Sequence, residues 1–395
     1  MLGSDYPLSL LYSTRNLLKK LVDAQTLQPT VNIVGQTAII HDTAVRLDEI
    51  GGMFRSLSDE IAELEREITL GLCDTHPSFQ LDLSVMLSDE PNNTLIDFFF
   101  GDIPRNGFVG CGDRVIDVFL THERFRGRYL IDTGDGRFSY NPAACTDLML
   151  RFAQLDALLF ASGHISCGPP PRGPEVAALH LRNSPGGDIR NVKIIQGMVC
   201  LVGGYNKTTH QVRNTPSYTT ITELTDPQTE ELKVMFRFPP NALVPYLLRE
   251  WLLYRPLRVL IARVLGMDEL AHRLRYLVFP GFYKPLESQD FSDMLRASTM
   301  NHLGYEIGLH DWRQIESNFV QTFCEGAVQE SAEPAHFAQR GQTAKTGLRH
   351  YNRTRNYPNG VAIQVIQAHL QSSQFWQDLT GKSPRPVPST TPRSP

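Results

Sequence analysis

Apolar residues recur at three- and four-residue intervals over 8–23 and again over 43–70, the spacing that lays one face of a helix on a core. Within the second stretch, LSDEIAELEREI carries a charged face that suits a solvated surface helix or a short coiled-coil contact. Between 78 and 140 the pattern changes. FQLDLSVML and TLIDFFF look like strands, and GRYLIDTGDGRFSYN looks like a hairpin. Helical spacing returns over 146–163 and ends near Gly163. RNVKIIQGMVCLVGGYNK then holds two strand-like runs about a Gln196-Gly197 turn, and ELKVMFRFP holds a third, so a small sheet follows a helix. PNALVPYLLREWLLYRPLRVLIARVLG is helical, with Pro245 expected to start it and Pro256 to break it. Further helices are expected at 289–303, 311–325 and 361–377, and GKSPRPVPSTTPRSP has the composition of a disordered tail. No internal repeat is visible.

These elements predict a mainly α protein with a small antiparallel sheet, an α+β class. A chain of 395 residues with 41% apolar residues has material for one large core or two. Charge divides it: the formal net charge is −4, but residues 1–150 hold 12 basic against 22 acidic residues and residues 151–395 hold 26 against 20. The expected organisation is an acidic N-terminal domain over 1–145, a second domain over 146–380 and a tail over 381–395. The basic half suits a polyanion-binding domain. Cysteines 73, 111, 145, 167, 200 and 324 form no C-x-x-C pair, which argues against a zinc ribbon or a disulfide framework and suits a reducing compartment. The first residues lack the basic, apolar and small-residue succession of a signal peptide, so no secretory leader is expected. Its most apolar region, Ala242–Leu265, is interrupted by Arg249, Glu250, Arg255, Arg258 and Arg263, so no membrane span is expected.

The candidate chemistry begins at CGPPPRGPEVAALHLRN. Pro174 and Glu175 suit the first turn of a helix, so Arg172 stands just before a helix start on a stiff proline segment. A guanidinium held there, with Glu175 near enough to orient it, makes a bidentate phosphate clamp; the plainer account is an Arg–Glu pair capping a turn. Lys207, in GGYNKTTHQ, lies in the connection between the second and third strand-like runs. GLHDWRQIE sets His310 three residues before Arg313, on one helix face. QRGQTAKTGLRHYNRTRNY carries Gln342 nine residues before Tyr351, among Arg340, Lys345, Arg349, Arg353 and Arg355, with no acid between Gln339 and Tyr357.

That order resembles the catalytic domain of the tyrosine recombinases, the integrase and Cre-like DNA strand-exchange enzymes. GPPPRGPEVAALHLRN, RNVKIIQGMVCLVGGYNKT and LHDWRQIE most resemble the Crypton-type recombinases of fungal genomes, over about residues 150–360. The resemblance implies that Arg172 and Arg313 bind phosphate, Lys207 acts as general acid to the leaving 5′-oxygen, His310 transfers a proton or contacts phosphate, and Tyr351 is the nucleophile. It also implies a double-stranded DNA partner, a homo-oligomer on DNA, a nuclear location and neither metal nor other cofactor. The chemistry is coherent: two guanidiniums and a lysine stabilise charge on the non-bridging oxygens, and a phenol with a reference pKa of about 10 needs basic surroundings to attack.

Two positions depart from the family. Gln342 stands where His or Trp is usual, and its amide donates a hydrogen bond but exchanges no proton. Pro174 replaces a small polar residue. His302, His336 and His350 are alternative histidines, and Tyr357 is a second tyrosine nearby. Rival readings are a recombinase-like domain that only binds DNA, and an aspartic protease built on Asp132-Thr133-Gly134, although no second D-[ST]-G exists in the chain. LTGKS lacks the earlier glycine of a Walker A loop, so ATP-driven unwinding is not expected.

Overall fold

The computed structural model describes residues 31–135, 137–204, 234–324 and 363–381. The helix expected over 8–23 and the tail over 381–395 lie outside this set, Gly381 excepted. The described chain opens with an antiparallel meander of β1 (Asn32–Val34), β2 (Thr37–Ile40) and β3 (Thr43–Arg46). Residues 43–46 are thus a strand, not the start of a helix: His41 turns the chain at φ 51°, and Thr43–Arg46 pairs with Thr37–Ile40. The side-chain period of two buries Ala38, Ile40 and Val45.

Helix α1 (Leu47–Ile68) starts where the Arg46 N–H donates to Glu49 at 2.9 Å, and it buries Ile50, Met53, Phe54, Leu57, Ile61 and Ile68 as one stripe. Its charged face is used within the molecule. Glu65 is buried and accepts Arg249 Nε, Arg249 Nη2 and the Tyr254 hydroxyl, each at 2.6 Å. Glu67 pairs with Arg151, and Glu60 lies 3.3 Å from His302. The face read as solvated or coiled-coil therefore ties α1 to its neighbours.

FQLDLSVML and TLIDFFF form no strands. After a 3-10 turn at Pro77–Phe79 the chain runs irregularly to another at Phe100–Asp102, with Asp97 at φ 70° breaking any extended run. The reason lies in its hydrogen bonds, which go to distant side chains rather than to a neighbouring strand. Lys193 Nζ donates to the Pro91 carbonyl at 2.5 Å, and Asn183 Nδ2 donates to the carbonyls of Asn93 and Leu95 at 2.9 and 2.8 Å. Helices α2 (Cys111–Thr121) and α3 (Glu123–Tyr129) follow, unforeseen, and then the expected hairpin of β4 (Leu130–Asp132) and β5 (Phe138–Tyr140).

Helix α4 (Pro142–Ser166) is capped by Asn141, whose side chain accepts the Ala144 N–H at 3.3 Å, and it passes through Gly163 to end at Ser166. Positions 145 and 146 both fall inside it. A short helix, α5 (Gly173–Ala177), leads to the three-stranded sheet of β6 (Val192–Ile195), β7 (Met198–Gly204) and β8 (Val234–Arg237), antiparallel in that order. Gln196 and Gly197 both take positive φ, 53° and 77°, the geometry of a tight hairpin turn. Strands β6 and β8 are buried throughout.

Pro256 does not break its helix. Helix α6 (Val244–Arg249) passes through a π-helical segment, Glu250–Tyr254, directly into α7 (Arg255–Val264). The missing proline N–H is absorbed by that wider turn. The charges interrupting the apolar run are mostly buried: Arg258 holds Asp156 at 3.0 and 2.6 Å, and Arg255 donates to Glu250 at 2.8 Å and to the carbonyls of Leu274, Leu277 and Val278. Helix α8 (Asp268–Tyr276) was not foreseen. Helices α9 (Ser288–Leu303), α10 (Leu309–Cys324) and α11 (Ile363–Leu379) lie where expected.

One apolar cluster runs from Val31 to Trp376 and includes Phe100, Phe152, Trp251 and Trp312, so residues on both sides of 145 share it. A smaller cluster, with Cys200, Val202, Phe236 and Ile366, lies between the sheet and α11. The described fold is mainly helical with small antiparallel sheets. No helix among the described residues is long and apolar enough to cross a membrane.

Candidate functional site

Arg172 is the N-cap of α5. Its backbone N–H donates to Glu175 Oε2 at 3.1 Å, so the R-x-x-E spacing is realised as a capping contact while the Arg172 side chain stands half-buried. The proline segment sets the approach, and α9 closes on it. A Cβ on Gly173 would come within 2.6 Å of the Ser288 Cβ and 2.8 Å of its Cα.

The second arginine station meets the same helix. Gly308, just before α10, is packed on Ser292 of α9, and the Leu309 N–H donates to Ser292 Oγ at 3.4 Å. Arg313 is half-buried on α10. His310 lies at the exposed start of α10, its side chain 68% accessible and its Nδ1 3.3 Å from Asp311. The R-x-x-E turn and the residues that lead into α10 are thus packed against successive turns of α9.

Behind them lies a buried polar cluster that sequence reasoning missed. Arg237, on β8, is fully enclosed: its Nε donates to the Pro169 carbonyl at 2.8 Å and its Nη2 lies 3.6 Å from Glu175 Oε2. Burial lowers its pKa, opposed chiefly by Glu175 and also by Glu316, a buried carboxylate on α10 three residues beyond Arg313. His164, at the end of α4, packs tilted against Phe160 with ring centroids 5.3 Å apart. Burial first, and then the charges of Arg237 and Arg313, press its pKa down to about 3, so it is a neutral imidazole. The only local signal for this cluster was a charge inside the apolar strand VMFRFP.

Lys207 belongs to the connection that leaves β7 at Gly204 and returns at Val234, and it lies outside the described residues, as do Arg340, Gln342, Lys345, Arg349, Tyr351, Arg353 and Arg355. His336, His350 and Tyr357 do also. His302 is described: its side chain is buried against Glu60 of α1. Asp132, Thr133 and Gly134 form an exposed turn at the tip of the β4–β5 hairpin. Asp132 Oδ1 accepts the Gly134 N–H at 2.8 Å, and Thr133 donates to the Arg137 carbonyl at 3.0 Å. That carboxylate serves its own turn, which is hairpin geometry rather than a catalytic cleft. A cavity of about 630 Å³, lined in part by Leu95, Arg182, Trp251 and Arg275, shares none of the stations described above.

Arg172 and Arg313 are thus both half-buried on packed elements, and Arg237 holds the backbone behind Arg172. No family model, no curated protein and no solved structure matches this chain.

Proposed function

We propose that this protein cleaves and rejoins DNA strands as a tyrosine recombinase does. Arg172 and Arg313 would brace the scissile phosphate, Lys207 would protonate the leaving 5′-oxygen, His310 and Gln342 would donate to phosphate oxygens, and Tyr351 would attack. The phenol oxygen gives its proton to His310 and forms a bond to phosphorus, the bond to the 5′-oxygen breaks as that oxygen takes a proton from Lys207, and the 3′-phosphotyrosine retains the bond energy for religation without ATP. Arg340, Lys345, Arg349, Arg353 and Arg355 would hold the DNA backbone. Strand exchange requires cleavage on both partners, hence a homo-oligomer on double-stranded DNA, and a nuclear location follows from the substrate.

One observation carries the reading: the R-x-x-E turn and the start of the helix that bears H-x-x-R are packed on a single helix, and the β7–β8 connection of the adjoining sheet bears Lys207. The exposure of His310 and the presence of Gln342 favour a second reading, a DNA-binding domain of the same ancestry without strand cleavage.

Nicked suicide duplexes from the ends of the surrounding genomic element separate the two. Strand cleavage predicts a denaturation-resistant protein–DNA adduct that Tyr351→Phe abolishes. Salt-sensitive binding with no adduct leaves the binding domain, and an adduct that survives Tyr351→Phe refutes the assigned nucleophile.

A further inference from the structure

We infer that Arg237 is a positioning residue that holds the turn presenting Arg172 to phosphate; this rests on the strand-cleavage reading above. Arg237 itself is 3% exposed and does not face solvent. What it grips is the backbone and carboxylate behind Arg172. Its Nε fixes the carbonyl of Pro169 at the head of the proline segment, and its Nη2 lies 3.6 Å from the Glu175 oxygen that accepts the Arg172 N–H. The planar fork thus engages both ends of the turn that presents Arg172.

Strand β8 is pinned in turn: the Phe236 N–H donates to His369 of α11 at 3.1 Å, and the Gly203 backbone lies against the guanidinium. A buried cation bonded to the Pro169 carbonyl and lying beside Glu175 ties the Arg172 turn to that strand. Displacing a reacting group by about 1 Å costs roughly 100-fold in rate, so the anchor matters although it touches no DNA.

The test uses the full chain with Arg237→Lys, which keeps the charge and loses the fork, and Arg237→Met, which loses both. Arg237→Lys is expected to melt close to the parent yet to lose hydrogen-exchange protection about tenfold in peptides covering 168–178 and nowhere else. Adduct formation on the nicked duplex should fall about 100-fold. Combining Arg237→Lys with Arg172→Ala should be no slower than Arg172→Ala alone, within about twofold, because both act on one contact.

Unchanged exchange at 168–178, or a double variant slowed by the product of the two single effects, overturns the inference. If Arg237→Lys unfolds the chain, Arg237→Met paired with Glu175→Gln, which removes both members of the ion pair, is carried through the same exchange measurement. A parent chain that forms no adduct refutes the strand-cleavage reading, while the exchange result still decides whether Arg237 holds the Arg172 turn.

Discussion

Replacing Asp89 by alanine should be among the most damaging single changes in the described structure. The Asp89 and Arg190 side chains are both 0% exposed. Asp89 accepts Arg190 Nη1 at 2.8 Å, Arg190 Nη2 at 2.7 Å, the Ile194 N–H at 2.9 Å and the Glu90 N–H at 2.7 Å, so four hydrogen bonds end on one carboxylate. Arg190 also donates to the carbonyls of Val192 and Glu90, which are dipoles and not counter-charges. Asp89→Ala therefore leaves a desolvated cation without its anion and frees the irregular segment from the edge of β6. Removing one partner of a buried pair costs about 3–5 kcal/mol. For a chain of this size that lowers the melting temperature by roughly 4–6 °C. Urea unfolding followed by circular dichroism reads the loss. The double replacement of Asp89 by Leu and Arg190 by Met should cost less than Asp89→Ala, because it removes both charges together. A loss below about 1 kcal/mol for Asp89→Ala, or a double variant worse than the single, would refute this account.

Two further outcomes follow from buried groups near the candidate site. His164 and His369 are both held neutral with pKa values pushed down by burial to about 3, so the unfolded chain binds their protons first as pH falls below about 6.5. Their contribution is complete above that pH and is lost progressively towards pH 3. At pH 5 the loss amounts to about 2 kcal/mol per histidine. Urea midpoints at pH 7.5 and 5.0 measure it, and His164→Phe, which keeps the contact with Phe160, should remove about half of this pH dependence; an unchanged slope contradicts the assignment. Gly173→Ala forces its new methyl group onto the Ser288 backbone and should destabilise by about 1–3 kcal/mol. A matching drop in DNA affinity is expected because the same clash moves the Arg172 turn, and a neutral effect on both would show that α9 yields freely.

What could be read locally was read well where a period and a turn agreed. The sheet β6-β7-β8 was visible because short β-branched runs flank a Gln-Gly pair able to take positive φ, and α4 because its apolar spacing continues for many turns. Local reading failed in three identifiable ways. Residues 80–98 have strand-like composition, but their polar backbone is satisfied by Lys193 and Asn183 rather than by a neighbouring strand. Helices α2, α3 and α8 are short, and several of their polar residues are engaged elsewhere, as Arg275 is with Asp97. Pro256 signals a break by its chemistry, whereas the chain accommodates it within a π turn.

The order of basic and polar stations, the turn at Gln196-Gly197 and the helical periods were all present in the amino-acid sequence, because each depends on residues a few places apart. Which charges are buried, and with whom, was settled only by folding. Arg190 and Asp89 are 101 positions apart, and Arg258 and Asp156 are 102 apart. Arg237 meets the Arg172 turn 68 residues away at the Pro169 carbonyl. No local period encodes such pairings, because a buried ion pair depends on juxtaposition and desolvation, and both arise when distant segments close on a common core.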